Sequence, residues 1–95
     1  MELIRAFELR GSAPSEGFVF ADSDRRLLER EEVAGLNAAT LRLARNEIYA
    51  RRGRKFVSQD LREYFSRFDW YRPQFGEVEL TYVEQKNVDL IRRFE

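Results

Sequence analysis

The stretch that decides the fold is residues 45–56, "RNEIYARRGRKF", where a helical pattern runs into a glycine. Just upstream, Leu41 and Ala44 begin an apolar spacing of three and four that Ile48 continues. This spacing predicts an amphipathic helix over residues 37–53. Asn37 is a favourable residue for its N-cap, and Gly53 stands where a left-handed residue closes a helix.

Two further helical segments lie on either side of that helix. Residues 22–36 favour one or two short helical turns, with a small apolar edge. Residues 58–68 carry apolar side chains at i, i+3, i+4 and i+7, which predicts a helix with Ser58 as its cap. The turn-rich stretch "DWYRPQFGE", residues 69–77, follows as a loop.

The last predicted helix covers residues 81–94, and Thr81 with Glu84 gives it a T-x-x-E capping box. The sum is a mainly α fold, a small compact helical domain of three to five short helices with an extended N-terminal arm. Residues 1–17 have the composition of a tail or linker, so we place the helical domain at residues 18–95.

The composition excludes several kinds of site. The chain of 95 residues has neither cysteine nor histidine, so disulfides, thiolate metal sites and imidazole ligands are absent and no metal or cofactor is expected. No run approaches the ~20 apolar residues of a membrane span, and the N-terminus lacks the apolar core of a signal peptide. The net charge is zero and no nucleic-acid-reading motif is present, so nucleic acid is not an expected partner.

Polar residues fall inside the apolar stripes of two helices. On a helical wheel Arg45 and Arg52 border the core-facing side of helix 37–53, while Glu84 and Asn87 fall within the stripe of the last helix. An unpaired charge in a core costs several kcal/mol, so these groups are expected to meet, Arg45 pairing with Glu84 or Asn87. The full predicted network comprises Arg45, Asn46, Glu47, Tyr49, Glu84 and Asn87.

A basic cluster and two loop aromatics form the candidate binding surface. Between Arg42 and Lys55 six basic side chains stand against one acid, Glu47. The candidate residues are Arg51, Arg52, Arg54, Lys55, Trp70 and Tyr71. They suit an anion, a sugar or a peptide. A structural interpretation is favoured, in which the cations complement a helix C-terminus and the aromatic rings cap a small core.

Catalysis has a weaker basis in the sequence. Glu47, Glu84 and Asp69 supply carboxylates for acid–base chemistry, but nothing in the sequence fixes their separation. No activated nucleophile accompanies them, and Ser58 and Thr81 stand at predicted caps. No catalytic residue is therefore assigned.

The segment Tyr49-Ala50-Arg51-Arg52-Gly53 resembles the eponymous motif of the bacterial YARHG domain family, with Arg52 where the family name has histidine. Further matches stand in order over about residues 18–95: "DSDRRLL" and "LRLARNEIYAR" lead up to the motif, and "F.S.DLREYF", "WY.P" and "E..N..LI...E" come after it. The resemblance implies an extracytoplasmic module of bacterial envelope or secreted proteins. It brings no established activity with it.

The function expected on these grounds is that of a non-catalytic accessory module which binds a protein, peptide or glycan. One alternative is an intracellular interaction domain that docks an acidic partner through the basic helix end, and such docking would weaken steeply with added salt. A small hydrolase-like enzyme is a further alternative, which would need a pocket with convergent titratable groups.

Overall fold

The computed structural model describes residues 17–95, so most of the predicted N-terminal tail lies outside the described residues. Four helices make up the fold: α1 (Arg30–Ala34), α2 (Ala38–Arg51), α3 (Gln59–Phe65) and α4 (Tyr82–Phe94). Within residues 17–95 there is no β-strand. The predicted mainly helical domain of three to five short helices is therefore confirmed.

The caps of the two long helices form as predicted. The side-chain oxygen of Asn37 accepts a hydrogen bond from the Thr40 amide at 2.8 Å. At α4 the Thr81 hydroxyl accepts from the Glu84 amide at 3.2 Å, while the Glu84 carboxylate accepts from the Thr81 amide at 2.9 Å. These bonds satisfy amides that the helix itself leaves unpaired at its first turn.

Gly53 closes α2 and holds residues 69–77, which we call the aromatic loop, against its end. Its φ is +88°, and an added Cβ would lie 3.0 Å from the Arg72 carbonyl oxygen. Its own carbonyl accepts hydrogen bonds from the amides of Gln74 and Phe75, at 2.8 and 3.0 Å. The Lys55 amide then donates to the Phe75 carbonyl at 2.7 Å. A residue free to adopt positive φ therefore fixes where the loop lies against the end of α2.

The third helix differs from its prediction at both ends. Ser58 stands at the N-cap position, but its side chain makes no capping hydrogen bond. The helix ends at Phe65 rather than at residue 68. Beyond it the Phe68 amide donates to the Phe65 carbonyl at 3.1 Å, a tightened turn. That turn brings the Phe68 ring to 5.7 Å from Trp70, centroid to centroid. After α3 the chain thus places Phe68 against Trp70 instead of continuing the helix.

The core has two apolar clusters that meet at α2. One lies between α2 and α4 and contains Leu28, Val33, Leu41, Ala44, Ile48, Val88 and Ile91. The other lies between α2, α3 and the aromatic loop and contains Ala50, Phe56, Leu61, Phe65 and Tyr71. Tyr49 packs against both clusters. The C-terminal turn of α2 therefore lies between the two clusters. Its buried polar side chains need hydrogen-bond partners there.

Candidate functional site

A cleft opens beside the C-terminal turn of α2, at residues 51 and 52. Its volume is about 350 Å³, and we call it the motif cleft. The lining residues are Phe18, Asp24, Arg51, Arg52, Trp70 and Glu84. Three of the predicted binding residues, Arg51, Arg52 and Trp70, therefore meet in one concave site.

Glu47 and Arg51, one turn apart on α2, hold the backbone of the segment that precedes α1. The Glu47 carboxylate accepts hydrogen bonds from the amides of Val19 and Phe20, both at 2.8 Å. The Arg51 guanidinium donates to the carbonyl oxygens of Phe20 and Ala21, at 2.8 and 2.9 Å. Because a spacing of four places both side chains on the same helix face, they bind neighbouring peptide groups. Glu47 thus engages the backbone of a loop.

Arg51 makes further contacts within the domain. It donates to the Ser23 hydroxyl at 3.1 Å, and it lies 3.5 Å from the Asp24 carboxylate. Its guanidinium also sits over the Phe18 ring, 4.2 Å from the centroid. Only 12% of the Arg51 side chain is exposed. Most of its hydrogen-bonding capacity is therefore used inside the molecule, although one edge still lines the cleft.

Burial changes the acidity of Glu47. The loss of solvent around this carboxyl raises its pKa from 4.5 to about 7. The hydrogen bonds from the Phe20 and Val19 amides, and the nearby charge of Arg51, act in the opposite direction but are smaller. Glu47 therefore titrates in the physiological range.

Arg52 pairs with Glu84 across the gap between α2 and α4. Its Nε lies 3.1 Å from both carboxylate oxygens, and its Nη2 lies 2.8 Å from Oε1. Glu84 is 1% exposed, whereas the Arg52 side chain is 41% exposed. The hydrogen bond to Glu84 raises the pKa of Arg52 further above its usual value. The pair links the end of α2 to the capping box of α4.

The predicted pairing of Arg45 with Glu84 or Asn87 is wrong. Arg45 instead pairs with Glu95, and one of its two contacts is a 3.0 Å hydrogen bond from Nη2. The reason is position along the helix axis. Arg52 meets Glu84 at the start of α4 and Arg45 meets Glu95 at its end, so α2 and α4 run antiparallel. Seven residues separate the two arginines by about 10.5 Å, too far for both to reach Glu84.

Two buried amides of the predicted network have other partners. Asn87 donates to the carbonyl oxygens of Ser23 and Arg26, both at 2.8 Å, and accepts from the Leu28 amide at 2.8 Å. Asn46 donates to the carbonyl of Arg42 at 2.9 Å, within α2 itself. Asn87 therefore fixes the turns before α1, which no helical periodicity in the sequence indicates.

The loop aromatics are largely internal. Trp70 stacks on Phe18, with centroids 4.5 Å apart, and on Phe68 at 5.7 Å. Tyr71 is 8% exposed, and its hydroxyl donates to the Arg54 carbonyl at 2.7 Å. Burial raises the pKa of Tyr71. Trp70 still lines the motif cleft, but Tyr71 faces the core and another surface.

The remaining candidate residues lie away from the motif cleft. Gly53 reverses the chain, so Arg54 lines a different groove and Lys55 is exposed beside Tyr71. The guanidinium of Arg54 sits over the ring of Tyr49, 4.9 Å from its centroid. The predicted surface is thus divided between separate concave regions.

The motif cleft combines opposite charges with aromatic edges. Two guanidinium groups, of Arg51 and Arg52, face two carboxylates, of Asp24 and Glu84. The Asp24 Oδ1 atom is shielded from solvent and accepts no hydrogen bond within residues 17–95, its nearest cations lying 3.5 Å away. Such a site offers donors and acceptors together, which suits a polar ligand without net charge. Neither Asp24 nor Phe18 was predicted, because only tertiary structure places residues 18–24 against α2.

Comparison with known proteins identifies the family. A comparison with curated proteins gave no match, and neither did one with solved structures. No helix within residues 17–95 has the length and apolar character needed to cross a membrane. The model of the YARHG domain matches residues 16–95, which include the motif and all four helices. This chain therefore belongs to the YARHG domain family.

Proposed function

We propose that this domain is a non-catalytic accessory module of an extracytoplasmic bacterial protein, and that it binds a peptide, protein or glycan partner through the motif cleft. The observation that carries the proposal is the convergence of Arg51, Arg52 and Trp70 with Asp24 and Glu84 in a cleft of about 350 Å³. The extracytoplasmic location is supported by the family alone.

The side chains of the motif cleft are held in place by other contacts. Arg51 binds carbonyl oxygens, Arg52 binds Glu84, and Trp70 stacks on two phenylalanine rings. Groups that are already ordered lose little conformational freedom when a ligand arrives. The contacts that occupy these residues within the domain therefore also prepare the cleft for binding.

The charge balance of the cleft favours a neutral polar ligand. With two cations and two anions lining it, the cleft has no net attraction for a polyanion. Peptide groups and sugar hydroxyls both donate and accept hydrogen bonds, and they match such a surface. An acidic docking partner is accordingly not the ligand proposed for this site.

NMR titration of the protein with two probes tests the proposal. The probes are an N-acetylglucosamine tetrasaccharide and an acetylated, amidated tetra-alanine peptide. At least one is expected to shift the Trp70 indole signal and the Arg52 Nε signal in a saturable way. Saturable binding by neither probe up to millimolar concentrations would contradict the proposal.

Asp24→Asn is the test variant, because it removes a cleft charge whose Oδ1 accepts no hydrogen bond from residues 17–95. We expect it to weaken binding of the responding probe at least about threefold, the loss of a charge-assisted hydrogen bond. Asp89→Asn is the matched control, since Asp89 lies on α4 and accepts from Gln85. Equal weakening of binding by the two substitutions would mean that the probe does not bind in the motif cleft.

A further inference from the structure

A second concave surface lies along α2 and shares no residue with the motif cleft. Its volume is about 330 Å³. We call it the arginine groove, and Arg42, Arg45, Tyr49, Arg54, Phe56 and Arg92 define it. The binding surface predicted from the sequence includes only Arg54 among these residues.

The helical geometry explains why four arginines meet here. Arg42, Arg45 and Tyr49 stand at i, i+3 and i+7 of α2, so they share a face. Arg54 reaches the same side after the chain reversal at Gly53. Arg92 comes from the last turn of α4, which lies antiparallel to α2. Three separate elements thus direct cations into one groove.

The charges of the groove are only partly compensated. Arg42 pairs with Asp60 at 2.6 Å, and Arg45 pairs with Glu95. Arg54 and Arg92 have no acidic partner among residues 17–95. The four arginines and two acids therefore leave two positive charges without a counter-charge. In contrast to the motif cleft, this groove attracts anions.

Arg54 also carries an unused donor. Its Nε is shielded from solvent and has no hydrogen-bond partner within residues 17–95. The ring of Tyr49 holds the guanidinium in place from one side. A buried donor without an acceptor is costly to the fold. An oxyanion in the groove would supply the missing acceptor once a rotation of the guanidinium had turned Nε toward it.

We propose that the arginine groove binds an organic phosphate ester. A phosphate monoester carries about −1.5 to −2 charges at pH 7, which matches two uncompensated cations, whereas a carboxylate carries one. Its three terminal oxygens accept from several guanidinium groups at once. The groove is far larger than the ~30 Å³ share of a water molecule. It has space for the organic part of the ester against Tyr49 and Phe56.

The test uses the protein with nitrogen-15 in its arginine side chains, so that each Nε–H gives its own NMR signal. The probes are glucose 6-phosphate, inorganic phosphate, glucuronate and glucose. Glucose 6-phosphate is expected to shift the Arg54 and Arg92 signals saturably and to bind more tightly than inorganic phosphate. Glucuronate is expected to bind more weakly, and glucose not at all.

Each departure from this order contradicts part of the proposal. No saturable shift with glucose 6-phosphate would overturn it. If inorganic phosphate bound as tightly as glucose 6-phosphate, the organic part of the ester would contribute nothing to binding. Glucuronate binding as tightly as glucose 6-phosphate would remove the preference for a phosphate group.

Two neighbouring arginines of α4 give a matched pair of variants. Arg92 lines the groove and Arg93 does not, while both are exposed in the last turn of the helix. Arg92→Gln is expected to weaken binding of glucose 6-phosphate at least about fivefold, since a charge-assisted hydrogen bond is lost. Arg93→Gln is expected to leave it unchanged. Equal losses in both variants would show a general charge effect and overturn the site.

Asp24→Asn separates this inference from the proposed function. It removes a residue of the motif cleft and none of the arginine groove. Glucose 6-phosphate should bind this variant as it binds the unaltered protein. A loss of binding would place the phosphate in the motif cleft and contradict the assignment to the groove.

Discussion

At the scale of single residues, Glu47 shows how one buried carboxylate organises the domain. Two backbone amides donate to it at 2.8 Å, so it acts as the acceptor for a segment that has no secondary structure to pair with. The same burial raises its pKa to about 7. The chain has neither histidine nor cysteine, so the titration of Glu47 near neutrality comes from a carboxyl group.

This shift predicts a pH dependence of stability. A glutamate in the unfolded chain titrates near 4.5, and Glu47 in the folded domain near 7, so the folded state binds more protons between these values. Stability is therefore greatest at the acid end of this window and falls as pH rises through about 7, by about 3 kcal/mol at most. Urea unfolding at several pH values between 5 and 8 measures it.

The substitution Glu47→Gln isolates the contribution of this residue. A glutamine does not titrate, so the decline in unfolding free energy between pH 5 and 8 should nearly vanish. Glu63 is exposed on α3 and, among residues 17–95, bonds only to Gln59, so Glu63→Gln should keep the decline. A decline that persists in Glu47→Gln would assign the pH dependence to another group.

Arg52 stands where the family name has histidine, and its contact with Glu84 shows what an arginine does at this position. A guanidinium presents two nitrogens to Glu84 and stays charged at every physiological pH. A histidine at this position would carry its charge only part of the time. The buried Glu84 of this chain is thus paired with a cation that keeps its charge across the physiological range.

At the scale of helices, the features predicted correctly are those that neighbouring residues determine. The Asn37 cap, the box of Thr81 with Glu84 and the left-handed Gly53 each depend on a few consecutive residues. The end of α3 was not predictable in this way, because Phe68 turns toward Trp70, a contact from outside the helix. A helix end that is set by capping can be predicted from neighbouring residues. A helix end that is set by packing depends on tertiary contacts and cannot.

A helical wheel predicts direction around the axis but not position along it. Arg45 and Arg52 lie on similar sides of α2, which is why the sequence did not distinguish them as partners of Glu84. Only the antiparallel packing of α2 against α4 makes the choice. The pattern therefore predicted that Glu84 faces the core, but it did not predict that Arg52 is its partner.

Double-mutant cycles test the pairing of the two helices. Arg52→Met and Glu84→Leu should interact by about 1–2 kcal/mol, less than a fully buried pair because Arg52 is partly exposed. Arg45→Met and Glu84→Leu should add within about 0.5 kcal/mol, because the two residues do not touch. Urea unfolding of the single and double variants measures both values. The opposite pattern would mean that Arg45 is the true partner.

At the scale of the whole molecule, the sequence supplied some of the candidate residues but not the surfaces on which they lie. Arg51, Arg52 and Trp70 do meet, since Gly53 fixes the aromatic loop beside α2. Arg54 and Lys55 turn away because the same glycine reverses the chain. Residues 18–24 complete the cleft through contacts with α2, and no pattern in the sequence predicts these contacts.

The segment before α1 is therefore part of the domain, and truncation tests this. Residues 1–17 were predicted to be a tail or linker, and removing residues 1–16 should lower the unfolding free energy by less than about 1 kcal/mol. Removing residues 1–23 takes away the partners of Glu47 and Arg51. The hydrogen bonds of both side chains and the packing of Phe18 on Trp70 and of Phe20 on the core are then lost, at a cost of about 3 kcal/mol or more. Thermal unfolding of both truncated chains distinguishes the outcomes. Equal stability of the two truncated chains would mean that the domain begins after residue 23 and that α2 does not depend on the segment before α1.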